Sequence, residues 1–161
     1  MRELGETVDL HGGGTDLVFP HHECETAQSE SVTGTTFSRH WLHVGMVGLD
    51  GTKMSKSLGN LVFVGDLLKE WDPMAVRLAL LAHHYRTDWE WQHRDLERGA
   101  VRLDRWRAAG SKGATSAAAL DAVRVLLDDD LNAADALYVL DDEAAAGRSV
   151  GSAATLLGVE L

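Results

Sequence analysis

Two lysines three residues apart stand in a short polar segment and could neutralise the charge of a polyphosphate. Lys53 and Lys56 are separated by small residues within Lys53-Met54-Ser55-Lys56-Ser57-Leu58-Gly59-Asn60. A flexible cationic loop of this kind can follow the β- and γ-phosphates of ATP while charge builds on the leaving pyrophosphate. A basic loop without a ligand is the alternative. The unbroken Lys-Met-Ser-Lys-Ser run favours the phosphate-binding interpretation.

A histidine and a carboxylate stand four residues apart at the start of a predicted helix. His21 and Glu25 would share one helix face and form half of a zinc site, because zinc accepts imidazole nitrogen and carboxylate oxygen. Cys24 and His22 are the local candidates for further ligands, although neither shares that face well. The alternative is an ordinary first helical turn with solvated charges.

Three consecutive glycines follow a short apolar segment, in His11-Gly12-Gly13-Gly14-Thr15-Asp16. We predict a strand over Thr7–Leu10 and a loop over His11–Asp16. Glycines let a backbone come close to a flat or phosphorylated ligand, and Asp16 could accept hydrogen bonds from ribose hydroxyls. Taken alone, the glycine triplet is also what a simple turn would show.

The elements that position these residues are predicted to be a short α/β part followed by helices. The apolar segment Trp41–Val47 predicts a strand, Asp50-Gly51 predicts a tight turn, and Asp72 before Pro73 predicts a helix start. The predicted helices span residues 21–33, 74–84, 117–127, 132–146 and 149–157, with another around 96–107 and a linker at 110–116. Because so few strands cannot form a covered parallel sheet, we expect part of a larger α/β domain.

Composition and charge limit the class of protein. The chain has 161 residues, of which 45% are hydrophobic and 25% charged, as in a globular protein. It shows no signal peptide or membrane-length apolar run, and its single cysteine suits a reducing compartment, so we expect a cytoplasmic protein. The net charge is −4 over residues 1–60, zero over 61–110 and −6 over 111–161. This distribution disfavours binding to a long polyanion and leaves a small nucleotide site open.

In this order, the three segments resemble the class I cysteinyl-tRNA synthetase-like family. The resemblance extends over nearly the whole chain from Gly5 onward, and its most specific parts are residues 11–23 and 53–60. It implies an α/β fold, namely the C-terminal part of a class I aminoacyl-tRNA synthetase-type, Rossmann-like catalytic domain followed by a small α-helical bundle. The implied domains are a catalytic portion at 1–65, a helical connector at 66–110 and the bundle at 111–161.

The resemblance also implies roles for single residues. His21 matches the family's zinc histidine, and Glu25 matches the fourth position near that metal. Lys53 and Lys56 match the lysines that stabilise the phosphates during activation. The residues that match nucleotide-contacting positions are Gly14, Thr15, Asp16, Val47 and Lys56. The family's two zinc-binding cysteines lie upstream of this chain, so the resemblance implies one zinc ion with its remaining ligands elsewhere.

Two activities compete within this family, and both begin with ATP and L-cysteine, which give cysteinyl adenylate. One branch transfers cysteine to tRNA, whereas the other joins it to the amine of glucosaminyl-inositol in mycothiol synthesis. The short, acidic segment after the lysine loop favours the second branch. That branch implies small-molecule substrates, no nucleic acid and a complete enzyme that is a monomer.

The resemblance leaves the family's N-terminal half unmatched. That half carries a His-x-Gly-His signature, and this sequence contains no such tetrapeptide. We therefore expect a C-terminal half that makes no adenylate alone. A truncated cysteinyl-tRNA synthetase and a non-catalytic fragment that keeps nucleotide or partner binding are the alternatives.

Overall fold

The computed structural model describes residues 3–110 and 115–161, and contacts within it define two compact units. The first unit extends to Val47 and includes Arg86–Trp89, and the second holds the other described residues. Most of the predicted linker at 110–116 lies outside the described residues. The predicted domain boundaries at 65 and 110 stay predictions. Among the described residues, no helix combines the length and apolar character that crossing a membrane requires.

The first unit is built on two parallel strands. Strand β1 (Val8–Gly14) pairs with strand β2 (Ser38–Val44), and helix α1 (Glu23–Thr33) lies between them in the chain. A 3-10 turn at Thr15–Leu17 and a kinked segment at Val18–His22, in which Phe19 is extended, lead from β1 into α1. This order is a βαβ unit, because parallel neighbours need a crossover connection.

The predicted loop over His11–Asp16 is wrong in its first four residues. Residues His11 to Gly14 continue strand β1, and each pairs with a residue of β2 from Trp41 to Val44. Glycine weakens an isolated strand, so the triplet by itself favours a loop. Here the parallel partner supplies the ladder hydrogen bonds, which a local reading of the sequence does not reveal.

A hairpin opens the second unit. Strands β3 (Val47–Leu49) and β4 (Thr52–Lys53) are antiparallel, with Leu49 opposite Thr52. Asp50 and Gly51 between them have φ angles of 53° and 75°, which the two-residue turn of a tight hairpin requires. The predicted turn is confirmed. Strand β5 (Trp89–Glu90) lies on the other side of β3.

Most of the remainder of the second unit is helical, as predicted. Side chains of Asp72, Ser116 and Asn132 accept hydrogen bonds from backbone N–H groups at three helix starts. One predicted helix, 74–84, ends three residues early, because the N–H of His83 bonds to Leu80 and tightens the last turn. The helices are α2 (Val64–Leu67), α3 (Pro73–Leu81), α4 (His93–Ala108), α5 (Ala117–Asp128), α6 (Ala133–Ala145) and α7 (Gly151–Ala154), which a 3-10 turn (Thr155–Leu157) extends.

The hydrophobic core of the second unit forms where α3, α4 and α6 meet. Trp106 is completely buried there, and its indole N–H donates to Oδ1 of Asp141 at 2.9 Å. Helices α3 and α4 come unusually close at Gly99, since a Cβ atom there would overlap the carbonyl oxygen of Ala75. The fully buried aliphatic residues of this core include Leu78, Leu103, Val123, Leu137 and Leu140.

Candidate functional site

The two strands of the first unit end side by side. Gly14, the last residue of β1, pairs with Val44, the last residue of β2. The segments that follow them, Thr15–Leu17 and residues 45–47, therefore leave the same edge of the sheet. In parallel α/β folds, ligands bind at the carboxyl ends of the strands. Of the predicted nucleotide-contacting residues, Gly14 ends strand β1, Thr15 and Asp16 follow it, and Val47 follows strand β2.

This edge has no room for a side chain at Gly14. A Cβ atom there would lie 2.5 Å from Oδ1 of Asp16 and 3.2 Å from the sulfur of Met46. The backbone N–H of Met46 donates to Oδ1 of Asp88 at 2.6 Å, and its carbonyl accepts from Trp89 at 3.0 Å. The chain after β2 is therefore held in place as it approaches the end of β1.

Three histidines and a tryptophan gather on one face of the sheet. His11 is the register partner of Trp41, and Gly13 is the partner of His43, so these positions share a face. The ring of His22, which is only 4% exposed, lies 4.8 Å from the ring of His11 and 5.2 Å from that of Trp41. Nδ1 of His22 and Nε2 of His43 are hydrogen bonded at 2.8 Å.

Room for the His22 ring depends on Gly13. A Cβ atom at Gly13 would lie 2.9 Å from Cε1 of His22 and 2.9 Å from Cδ1 of Leu17. Burial lowers the pKa of His22 below its ordinary value, and the imidazoles of His11 and His43 lower it further. A neutral imidazole, the form that can accept a proton or bind a metal, is thus favoured at this position.

Glu25 connects this cluster to helix α1. Its Oε2 atom lies 3.1 Å from Nε2 of His11, and its Oε1 atom lies 3.7 Å from Nε2 of His21. The predicted pair His21 and Glu25 is thus brought together, although the His21 side chain is 59% exposed.

The donor set of this cluster suits zinc. His11, His22 and Glu25 each offer a ligand atom, and these atoms lie within 4.8 Å of one another. Imidazole nitrogen and carboxylate oxygen are both zinc ligands. Of the two residues that the resemblance implies, Glu25 belongs to this donor set and His21 does not, and zinc binding stays a prediction.

His11 and His43 are not among the predicted site residues, and His22 is only a local candidate ligand that shares the His21–Glu25 face poorly. A weak signal was available for β2, where Trp41 and His43 alternate and must share a face. The pairing of His11 with that face depends on the parallel register, which joins residues about 30 positions apart. Local spacing alone does not reveal it.

The two predicted catalytic lysines lie in the second unit, on an exposed loop. Lys53 ends strand β4, and Lys56 opens a turn in which the N–H of Gly59 donates to the Lys56 carbonyl at 3.2 Å. Both lysine side chains belong to exposed residues. The predicted polar, glycine-ended loop over residues 53–60 is confirmed apart from its first residue.

Comparison with known proteins gives consistent matches. The model of the class I (C) tRNA synthetase catalytic domain matches residues 1–101. A protein of Catenulispora acidiphila named L-cysteine:1D-myo-inositol 2-amino-2-deoxy-alpha-D-glucopyranoside ligase is 52% identical over 162 residues, covering 95% of this chain and 38% of its own. A Thermobifida fusca protein of the same name is 56% identical over 153 residues, covering 92% and 37%. The chain thus spans under two fifths of the length of these relatives.

Solved structures show the fold. A Mycobacterium tuberculosis methionyl-tRNA synthetase with bound methionyl-adenylate matches with a TM-score of 0.59 and 20% identity, over 84% of this chain and 32% of that one. The LeuRS of Agrobacterium radiobacter K84, in a ternary complex with tRNA and LeuAMS, matches with a TM-score of 0.57 and 21% identity, over 93% and 24%. The predicted class I synthetase-type α/β fold is confirmed.

Proposed function

Because this chain belongs to the family of class I (C) tRNA synthetase catalytic domains, we propose that it forms part of an ATP-dependent cysteine ligase. In the first step the carboxylate of L-cysteine attacks the α-phosphate of ATP, so that pyrophosphate leaves and cysteinyl adenylate forms. In the second step the amine of glucosaminyl-inositol attacks the carbonyl carbon, and AMP leaves. The name shared by the curated relatives supports this acceptor.

The observation that carries the proposal is the pairing of Gly14 with Val44 at one sheet edge. We assign the adenylate to this edge, where Gly14, Asp16 and Met46 come close together. Thr15 and Asp16 open the turn after β1, and the Asp16 carboxylate can accept hydrogen bonds from ribose hydroxyls. The backbone of Val47 is assigned to the adenine.

We assign a zinc ion to His21 and Glu25. When bound, zinc would supply a soft acceptor for the thiol of cysteine, and the hydroxyl of serine could not replace that thiol. The contact between His11 and Glu25 orients the carboxylate from outside its own helix. Such outer contacts commonly set metal affinity.

We assign phosphate stabilisation to Lys53 and Lys56. Negative charge builds on the leaving pyrophosphate as the α-phosphate is attacked, and ammonium groups held near it lower the barrier. Each lysine is expected to contribute a few kcal/mol, roughly what one oxyanion-hole donor supplies.

The test uses the complete polypeptide that carries this chain. Cysteine-dependent exchange between ATP and pyrophosphate is measured first, and transfer to glucosaminyl-inositol or to tRNA is measured next. Lys56→Ala should slow the exchange by about 10²- to 10³-fold and leave the Kd for cysteine nearly unchanged. Lys69→Ala, which removes an exposed lysine outside the loop, is the matched control. Equal losses of exchange and of cysteine binding would contradict the role of Lys56, and transfer to tRNA alone would contradict the acceptor.

A further inference from the structure

One side chain closes the loop that carries Lys53 and Lys56. Oδ1 of Asn60 accepts a hydrogen bond from the backbone N–H of Ser55 at 2.9 Å. Its Nδ2 atom donates to the carbonyl of Lys53 at 3.2 Å and to Oγ1 of Thr52 at 3.3 Å. A planar amide with an acceptor on one side and two donors on the other can make these three bonds together.

The inside of the loop is closed by further hydrogen bonds. Gly59, with a φ of 67°, donates its N–H to the carbonyl of Lys56 at 3.2 Å. Oγ of Ser55 accepts from the N–H of Leu58 at 3.3 Å and lies 3.1 Å from Oγ of Ser57. The Lys53 carbonyl is thus held by Asn60, and the Lys56 carbonyl is held by the turn that follows Ser55.

Side-chain packing contributes little to the shape of this loop. Lys53, Lys56 and Ser57 are exposed, and Leu58 is 63% exposed. Asn60 is half-buried and is placed where the loop meets strand β4. Because few apolar contacts are available, the hydrogen bonds of Asn60 have to supply the order that packing supplies elsewhere.

We propose that Asn60 is the positioning residue of this loop, which fixes the backbone of both lysines so that their ammonium groups can meet one polyphosphate. Fixing an exposed backbone costs conformational entropy, and a loop ordered in advance does not pay that cost when the ligand arrives. The catalytic half of this inference rests on the proposed function. The closure of the loop by Asn60 does not.

Two substitutions distinguish the acceptor role of the Asn60 amide from its donor role. Asn60→Ala removes all three hydrogen bonds. Asn60→Asp keeps an oxygen that can accept from the N–H of Ser55 but loses the donor to Lys53 and Thr52. Leu58→Ala is the matched control, because it changes a side chain of the same loop that takes part in none of these bonds.

The first measurement is the rate of amide hydrogen exchange at Ser55, which NMR monitors on the 161-residue chain. We expect exchange to become at least about tenfold faster in Asn60→Ala, and to stay near wild type in Asn60→Asp and Leu58→Ala. Unchanged exchange at Ser55 in Asn60→Ala would overturn the inference. Should that variant fail to fold, Asn60→Ser takes its place, and unchanged exchange at Ser55 in Asn60→Ser would overturn the inference.

The second measurement is the affinity for inorganic tripolyphosphate at low ionic strength, read from the amide shifts of Lys53 and Lys56. Asn60→Ala should weaken binding about tenfold with an unchanged melting temperature, whereas Leu58→Ala should stay within about twofold. Equal affinity in Asn60→Ala and wild type would overturn the positioning role. If the wild type itself binds no tripolyphosphate, the phosphate role of the lysines and the catalytic half of the inference both fail, while Ser55 exchange still decides loop closure.

Discussion

Nε2 of His11 lies 3.1 Å from Oε2 of Glu25, so that a side chain of strand β1 holds a carboxylate of helix α1. The second carboxylate oxygen, Oε1, lies 3.7 Å from Nε2 of His21. Glu25 is thus hydrogen bonded across the sheet by His11, while His21 lies near its other oxygen. A ligand oriented in this way is prepared for a metal before the metal arrives.

The charge of Glu25 should determine zinc affinity. Glu25→Gln keeps the size of the side chain and removes its charge, so we expect the affinity of the chain for zinc to fall by about tenfold or more. Competition with a chromophoric chelator measures this. Glu23→Gln, at an exposed position in the same helical turn, is the control. A similar loss in both variants would show that only the overall charge of the helix matters.

A methyl group at Gly13 should displace His22. The new Cβ atom would lie 2.9 Å from both the His22 ring and the Leu17 side chain, so we expect Gly13→Ala to destabilise the fold by about 1–3 kcal/mol. Urea unfolding measures the cost. The substitution should cost less in a His22→Ala background, where part of the conflict is gone. An undiminished cost there would exclude the ring contact as its cause.

Acid should weaken the second unit through Glu143. Nη2 and Nε of Arg148 donate to this buried carboxylate at 2.6 and 3.0 Å, and Oγ of Ser116 donates at 3.0 Å. The hydrogen bonds from Arg148 and Ser116 hold the pKa of Glu143 below its ordinary value of 4.5, against the opposing effect of burial. The ionised group therefore stabilises the fold above pH 4.5, and this contribution disappears as the pH falls through the lowered pKa.

Glu143→Gln isolates that contribution. The variant should be less stable than wild type by about 1–3 kcal/mol at pH 7, and the difference should shrink as the pH falls from 5 to 3. Denaturant unfolding at a series of pH values measures it. Glu70→Gln, at an exposed position, should follow the wild-type pH profile. A stability difference that stays constant down to pH 3 would contradict the assignment.

The close approach of α3 and α4 should make Gly99 intolerant of any side chain. A Cβ atom there would overlap the Ala75 carbonyl, so we expect Gly99→Ala to lower the free energy of unfolding by about 1–3 kcal/mol although alanine favours helices. The control is Gly65→Ala in helix α2, where a Cβ atom would have no atom within 4 Å. Thermal unfolding measures both, and a stabilised Gly99→Ala would show that the helices can separate freely.

Helix starts were predictable from the sequence because their signals are local. The predicted start at Asp72 and Pro73 acts within one helical turn and is confirmed, and the caps at Ser116 and Asn132, which were not predicted, are local in the same way. The Asp50-Gly51 turn was predictable for the same reason, since only its two central residues need positive φ.

The candidate site could be predicted only in part. The spacing of His21 and Glu25 is local, and the two side chains do approach each other. The contributions of His11 and His43 depend on the parallel pairing of β1 with β2, which no local pattern encodes. The loop predicted for the glycine triplet is wrong for the same reason, because its strand conformation depends on the neighbouring strand.

The position of Cys24 allows site-specific labelling next to the candidate metal site. It is the single cysteine of the sequence, its side chain is exposed, and it lies in the first turn of α1 between His21 and Glu25. A fluorophore or spin label attached through the thiol would therefore sit at one defined place without prior mutagenesis. Its emission or line shape would follow the arrival of a metal or an amino acid in real time.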